Sequence, residues 1–198
     1  MNYFASSLPR FFLLWVTVTC PVLSADIDLS RLKIEDQLTK KSSNHHGSIN
    51  DKRQDIGGYL TLRDEGSSLK EPMGRFSWKT ILFGKPCGRE SAKAEWLVFC
   101  VKEGESDLPL QGFARMEPES VSTVYDKVGF GKYGFEYFGY AVVVRSSSNP
   151  EKFLVKSDKK ILEQSADKLG ELKAGQLLDK TWAVVQEGVR PSEGIWYR

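Results

Sequence analysis

The sequence predicts an α+β domain: a mostly antiparallel sheet of about six to eight strands with one main helix near residues 158–172. Three observations carry this prediction. Glu95-Trp-Leu-Val-Phe-Cys-Val101 is apolar on both parities, as a strand buried on both faces must be. Gly129-Phe-Gly-Lys-Tyr-Gly-Phe-Glu-Tyr-Phe-Gly-Tyr140 packs four glycines and six aromatics and runs into Ala141-Val-Val-Val-Arg145, the composition of a tight, buried hairpin at the spine of a sheet. The clearest helical spacing is that of Ile161, Leu162, Ala166 and Leu169, with Ser157 or Asp158 placed to cap it and Gly170 and Gly175 to stop it.

The chain opens with the layout of a secretory signal peptide, residues 1–25. One positive charge and no acid precede the apolar Phe11-Phe-Leu-Leu-Trp-Val-Thr-Val-Thr-Cys-Pro-Val-Leu-Ser24, with cleavage expected after Ser24 or Ala25. A membrane span needs about 20 apolar residues, more than this run supplies, and Thr19 is poorly suited to a lipoprotein signal at Cys20. Residues 26–53 read as a disordered pro-segment: Ile27, Leu29, Leu32, Ile34 and Leu38 suffice for a turn or two of amphipathic structure, and the polar remainder buries too little to offset its ordering entropy. This spacer ends in Lys52-Arg53, a dibasic pair at the composition boundary, where a furin- or Kex2-type protease of the secretory pathway would cut. A single globular domain, residues 54–198, would then start at Gln54.

Within that domain residues 56–62 read as a first strand. Arg75-Phe-Ser-Trp-Lys-Thr-Ile-Leu-Phe83 alternates like a strand with one buried face, and Gly84-Lys-Pro-Cys-Gly88 supplies a turn. After the strand at residues 95–101, residues 111–116 form another brief one. Residues 117–126 fit a short helix or an irregular edge strand. Residues 151–156 give a further strand, and Trp182-Ala-Val-Val-Gln186 favours one by its β-branched content. Ile195, Trp196 and Tyr197 are expected to pack back on the body; Trp78, Trp96 and Trp182 are expected in the core.

Charge and cysteine counts bound the function. Seven of the 28 Lys and Arg and five of the 26 Asp and Glu precede Gln54, leaving 21 of each, so residues 54–198 are formally neutral and a nucleic-acid partner is disfavoured. With Cys20 removed, Cys87 and Cys100 remain, and an oxidising route predicts one disulfide between them, two buried thiols being the alternative. Both histidines, His45 and His46, lie in the spacer, which leaves residues 54–198 without Ser-His-Asp or Cys-His catalysis or a His-rich metal site. No metal and no cofactor is expected.

Gly129, Gly131 and Gly134 have G-x-G-x-x-G spacing, but a dinucleotide loop needs a helix behind it and Phe135 onward reads as strand. The kinase alternative lacks H-R-D and D-F-G motifs and a catalytic lobe. Among carboxylates Glu136, Asp126 and Glu119 are the candidates for acid–base or sugar chemistry. Tyr133, Glu136 and Tyr137 form the candidate binding patch if they face solvent.

The order of signal peptide, pro-segment ending in Lys52-Arg53 and compact domain without a catalytic motif resembles the small secreted, Kex2-type processed effectors of filamentous fungal pathogens. The resemblance lies in the arrangement of segments. It implies an extracellular, non-enzymatic virulence-type protein that binds a partner protein, such as a host enzyme or receptor, and has no membrane span after signal cleavage. The alternative is a secreted carbohydrate-binding protein or carboxylate-dependent hydrolase.

Overall fold

The structure, a computed structural model, describes residues 29–45, 50–65, 74–88, 92–107, 113–126, 128, 132–147 and 149–191. The leader, His46, Gly129, Gly131 and the tail at 195–197 lie outside them. The described residues form ten strands, more than the six to eight expected: β1 (Leu32–Asn44), β2 (Asp51–Asp64), β3 (Arg75–Pro86), β4 (Trp96–Asp107), β5 (Phe113–Met116), β6 (Val121–Asp126), β7 (Tyr133–Ser146), β8 (Phe153–Ser157), β9 (Leu177–Leu178) and β10 (Val184–Gln186). The pairing order is β1-β2-β6-β7-β3-β4-β9-β10, every pair antiparallel, with β5 also on β2 and β8 also on β7.

The path folds into two layers. An outer sheet of β1, β2, β5 and β6 covers one face of an inner sheet of β3, β4, β7 and β8, and the layers join where Tyr125 and Asp126 pair with Gly134 and Tyr133. Between them lies the larger core, with Leu60 and Leu62 of β2 and Met116 of β5 facing Phe76 and Leu82 of β3 and Val142 and Val144 of β7. The opposite parity of the inner strands, Ile81, Phe83, Trp96, Val98, Ala141 and Val143, packs under Leu162, Leu169, Leu172 and Leu178. Burial on both faces is why β4 and β7 read as unbroken apolar runs, and each such side chain, fully buried, stabilises by about 1.5–3 kcal/mol.

Three expectations are corrected here. Residues 32–44, expected to be disordered, form β1, which pairs residue for residue with β2. Leu32, Ile34 and Leu38 share one face of this strand and pack against the larger core, which supplies the burial the segment lacks alone. The main helix at 158–172 is absent. In its place stand two single turns, α1 (Lys160–Glu163) and α2 (Ala166–Leu169), interrupted at Ser165, whose φ of −106° and ψ of 28° leave the helical region. Asp158 does not cap a helix: its Oδ1 accepts the Tyr140 N–H at 2.9 Å, tying the segment to β7. Leu162, Leu169 and Leu172 are buried without a continuous helix. Residues 121–126 are a strand, and an interior one, between β2 and β7. Among the described residues no helix is long and apolar enough to cross a membrane.

Candidate functional site

The sequence-derived candidates do not assemble into one site. Lys52 and Arg53 lie inside β2, paired with Asn44 and Ser43 of β1 on one side and with Tyr125 and Val124 of β6 on the other. Lys52 Nζ donates to Asn44 Oδ1 at 2.6 Å, and Arg53 pairs with Asp55 at 3.0 Å. Asp55 is held below the usual carboxylate range by the Ser122 hydroxyl and then by Arg53. The following residue, Gln54, is 2% exposed; its Nε2 donates to Tyr125 Oη at 3.0 Å and its Oε1 accepts the Tyr137 N–H at 2.9 Å. A processing protease needs an extended segment free of neighbours, so cutting after Arg53 requires this three-stranded ladder to open.

Cys87 and Cys100 are buried thiols and not a disulfide. Register gives the reason. Cys100 lies opposite Leu82, and Cys87 is five residues further along the same strand direction, roughly 16 Å away at a strand's rise, whereas a bridge tolerates at most about 6.8 Å between Cα atoms. The Cys100 thiol donates to the Glu119 carbonyl at 3.4 Å, and burial pushes its pKa up to about 11.

The patch of Tyr133, Glu136 and Tyr137 is split by the pleat. Phe135, Glu136 and Tyr137 pair in regular register with Pro86, Lys85 and Gly84, so Glu136 and Tyr137 point to opposite faces. Tyr137 packs against the larger core; burial raises its pKa, with the Asp158 and Asp36 charges adding to the effect. Tyr133 is half-buried, and burial together with its hydrogen bond to Asp51 raises its phenol to about 12. The carboxylates fare no better as a catalytic pair. Asp126 Oδ1 accepts the Val128 N–H at 2.8 Å and closes the β6–β7 turn. Register places Glu136 three residues beyond the partner of Asp126, roughly 10 Å along the sheet. Glu119 precedes β6, whose length alone adds roughly 16 Å, while paired catalytic carboxyls stand about 5–9.5 Å apart. Gly134 explains part of the glycine motif: its φ is +77° and an added Cβ would lie 2.0 Å from the Val124 carbonyl oxygen, so the hairpin closes only on glycine.

The feature that sequence reasoning missed is a cleft of about 700 Å³ on the far face of the inner sheet, where the α2 turn leaves β3, β4 and β7 uncovered. Its floor is two cross-strand rows, Glu105-Ser77-Arg145 and Glu103-Lys79-Val143. Asp167, Gly170 and Glu171 form its wall. Lys79 holds floor and wall together: its Nζ donates to the Gly170 carbonyl at 2.8 Å and pairs with Glu103 at 3.0 Å. Glu105 is neutralised by Arg75 at 2.7 Å. Arg145 differs from these. Its guanidinium lies 5.6 Å from the Phe153 ring centroid and has no ion-pair partner among the described residues. Gly170 makes room for it, since an added Cβ there would come within 3.1 Å of Arg145 Nη2. A planar fork of donors, backed by an aromatic ring and open to a cleft, is suited to taking a carboxylate in two parallel hydrogen bonds. The signal in the sequence was the alternation Ser77-x-Lys79 and Val143-x-Arg145, polar intrusions on a face that is apolar at Ile81 and Ala141.

No family model and no curated protein matches the sequence. Two solved structures are similar over much of their length: a Northeast Structural Genomics Consortium target, 10% identical with a TM-score of 0.28 over 66% of this chain and 83% of that one, and a protein from Akkermansia muciniphila, 13% identical with a TM-score of 0.31 over 77% of this chain and 85% of that one.

Proposed function

We propose that the protein is a secreted, non-enzymatic effector that binds a partner protein, a host protein in the pathogen setting, by receiving a carboxylate-bearing loop of that partner in the cleft around Arg145. The observation that carries this reading is the guanidinium of Arg145, held against Phe153 inside the cleft while Lys79 and Arg75 are each matched to a carboxylate. Glu103, Glu105, Asp167 and Glu171 around it reject a highly acidic surface and favour a loop carrying one acid among basic or polar neighbours. The test is affinity capture from candidate host extracts with the wild-type protein and with Arg145→Ala, the fold of the variant checked by circular dichroism. A protein retained by wild type and lost with the variant supports the reading. Identical retention by both, or retention of nothing, refutes it.

A further inference from the structure

We infer that the open edge of β1 is a self-association surface, on which two copies of the chain pair their β1 strands antiparallel about a two-fold axis through Leu38. Among the described residues β1 ends the sheet, paired with β2 over all 13 of its residues and with no strand on its other side. The phase of the ladder identifies the groups on that side. His45 N–H donates to the Asp51 carbonyl at 2.8 Å and Glu65 N–H to the Arg31 carbonyl at 3.0 Å. Hydrogen-bonded pairs in an antiparallel ladder recur at every second residue, so the odd-numbered residues of β1 bond to β2. Leu32, Ile34, Asp36, Leu38, Lys40, Ser42 and Asn44 direct their N–H and C=O groups to the open edge.

The order of charges along the strand selects the partner. β1 is acidic before its midpoint, at Glu35 and Asp36, and basic after it, at Lys40 and Lys41. Leu38 is the midpoint of Leu32–Asn44, so an axis there uses the whole strand. It sets Asp36 opposite Lys40 of the second copy and Glu35 opposite Lys41, each twice by symmetry. One set of opposite-charge pairs lies on each face of the joined sheet. Moving the axis to Gln37 sets Lys33 against Lys41, and moving it to Thr39 leaves Glu35 and Asp36 opposite Ser43 and Ser42. The strand therefore matches itself in one register. A second copy fits this edge better than an arbitrary extended peptide, which would meet the backbone donors without the matching charges.

Sedimentation velocity over a concentration series, on protein shown by intact mass to retain β1, tests the inference. Wild type is expected to move from monomer to a species of twice the mass. Lys41→Glu and Glu35→Lys each make like-charge pairs with a second copy of themselves; Lys41 is exposed, whereas Glu35 is half-buried and pairs with Arg63 at 3.4 Å, so the fold of Glu35→Lys is checked by circular dichroism. Each is expected to weaken the dimer on the order of tenfold, while an equimolar mixture of the two restores it as a heterodimer. Lys40→Pro removes an edge donor that β2 does not use and is expected to abolish dimerisation without unfolding the hairpin. A wild-type monomer at every soluble concentration overturns the inference. So does a dimer indifferent to Lys41→Glu, Glu35→Lys and Lys40→Pro, which would locate the contact elsewhere.

Discussion

Alkaline pH is expected to weaken this fold, and Cys100 sets the size of one share of the loss. The thiol is 3% exposed, and burial raises its pKa from 9.0 to about 11. A group that holds its proton more tightly when folded contributes stability that is complete below the unfolded value and disappears as pH rises through the folded one. For Cys100 that window runs from 9.0 to about 11, and at 1.36 kcal/mol per pH unit the loss is about 3 kcal/mol. Tyr133, raised to about 12 by burial and by its bond to Asp51, extends the same trend at higher pH. Tyr140 acts alike, raised by burial and by its hydrogen bond to Asp36, as does Tyr137. The assay is urea unfolding followed by far-ultraviolet circular dichroism at steps from about pH 8 to about pH 11.5, on wild type and Cys100→Ala. The variant is less stable at neutral pH because it leaves a small cavity, and across the series the wild type should lose about 3 kcal/mol relative to the variant, enough to reverse their order. Stability curves that stay parallel would refute the assignment of the shift to Cys100.

Three other outcomes follow from the packing. Gly84→Ala places a Cβ 2.1 Å from the Phe99 ring, itself 5% exposed; overpacking of this kind should cost about 1–3 kcal/mol in urea unfolding, and wild-type stability would show that β3 and β4 separate more readily than the core suggests. Alkylation in denaturant without reductant should label both Cys87 and Cys100, and a peptide linking the two would overturn the register argument. Intact mass of protein secreted from a Kex2-competent host should retain residues 32–53, because the bond after Arg53 sits in the β1–β2–β6 ladder; a mass beginning at Gln54 would show that processing precedes folding.

How far the fold was legible depends on how much each segment says without its neighbours. β4 and β7 announce themselves because burial on both faces leaves no polar positions in Trp96–Cys100 and Tyr140–Val144, and β3 does so by the alternation of Phe76 and Trp78 with Arg75, Ser77 and Lys79. β1 did write a period of two, in Leu32, Ile34 and Leu38, but Asp36 breaks the apolar row at the position where its carboxylate accepts the Tyr140 hydroxyl at 2.8 Å. That partner is 104 residues away in the chain, beyond any local pattern. The 158–172 segment misled for the opposite reason. Its leucines repeat as a helix would, yet Leu162 and Leu169 are buried from two separate turns because Asp158 and Ser157 are engaged by Tyr140 of β7. Arg145 stands in the sequence only as the end of the run that begins at Ala141, because its lack of an ion-pair partner among the described residues depends on which residues Lys79 and Arg75 pair with. Only the cross-strand register reveals that.

The pairing of β2 with β6 has a consequence for the order in which the chain is made. β1 and β2 are sequence neighbours and can pair as soon as they emerge. Ile56 finds its partner on the other side in Val121, 65 residues later (121 − 56). At a synthesis rate of about 5–20 residues per second, roughly 3–13 s pass before that edge can be covered. During synthesis the β1–β2 hairpin therefore waits with one buried-to-be edge open, and a chaperone that holds extended strands would have its opportunity there rather than at the finished surface.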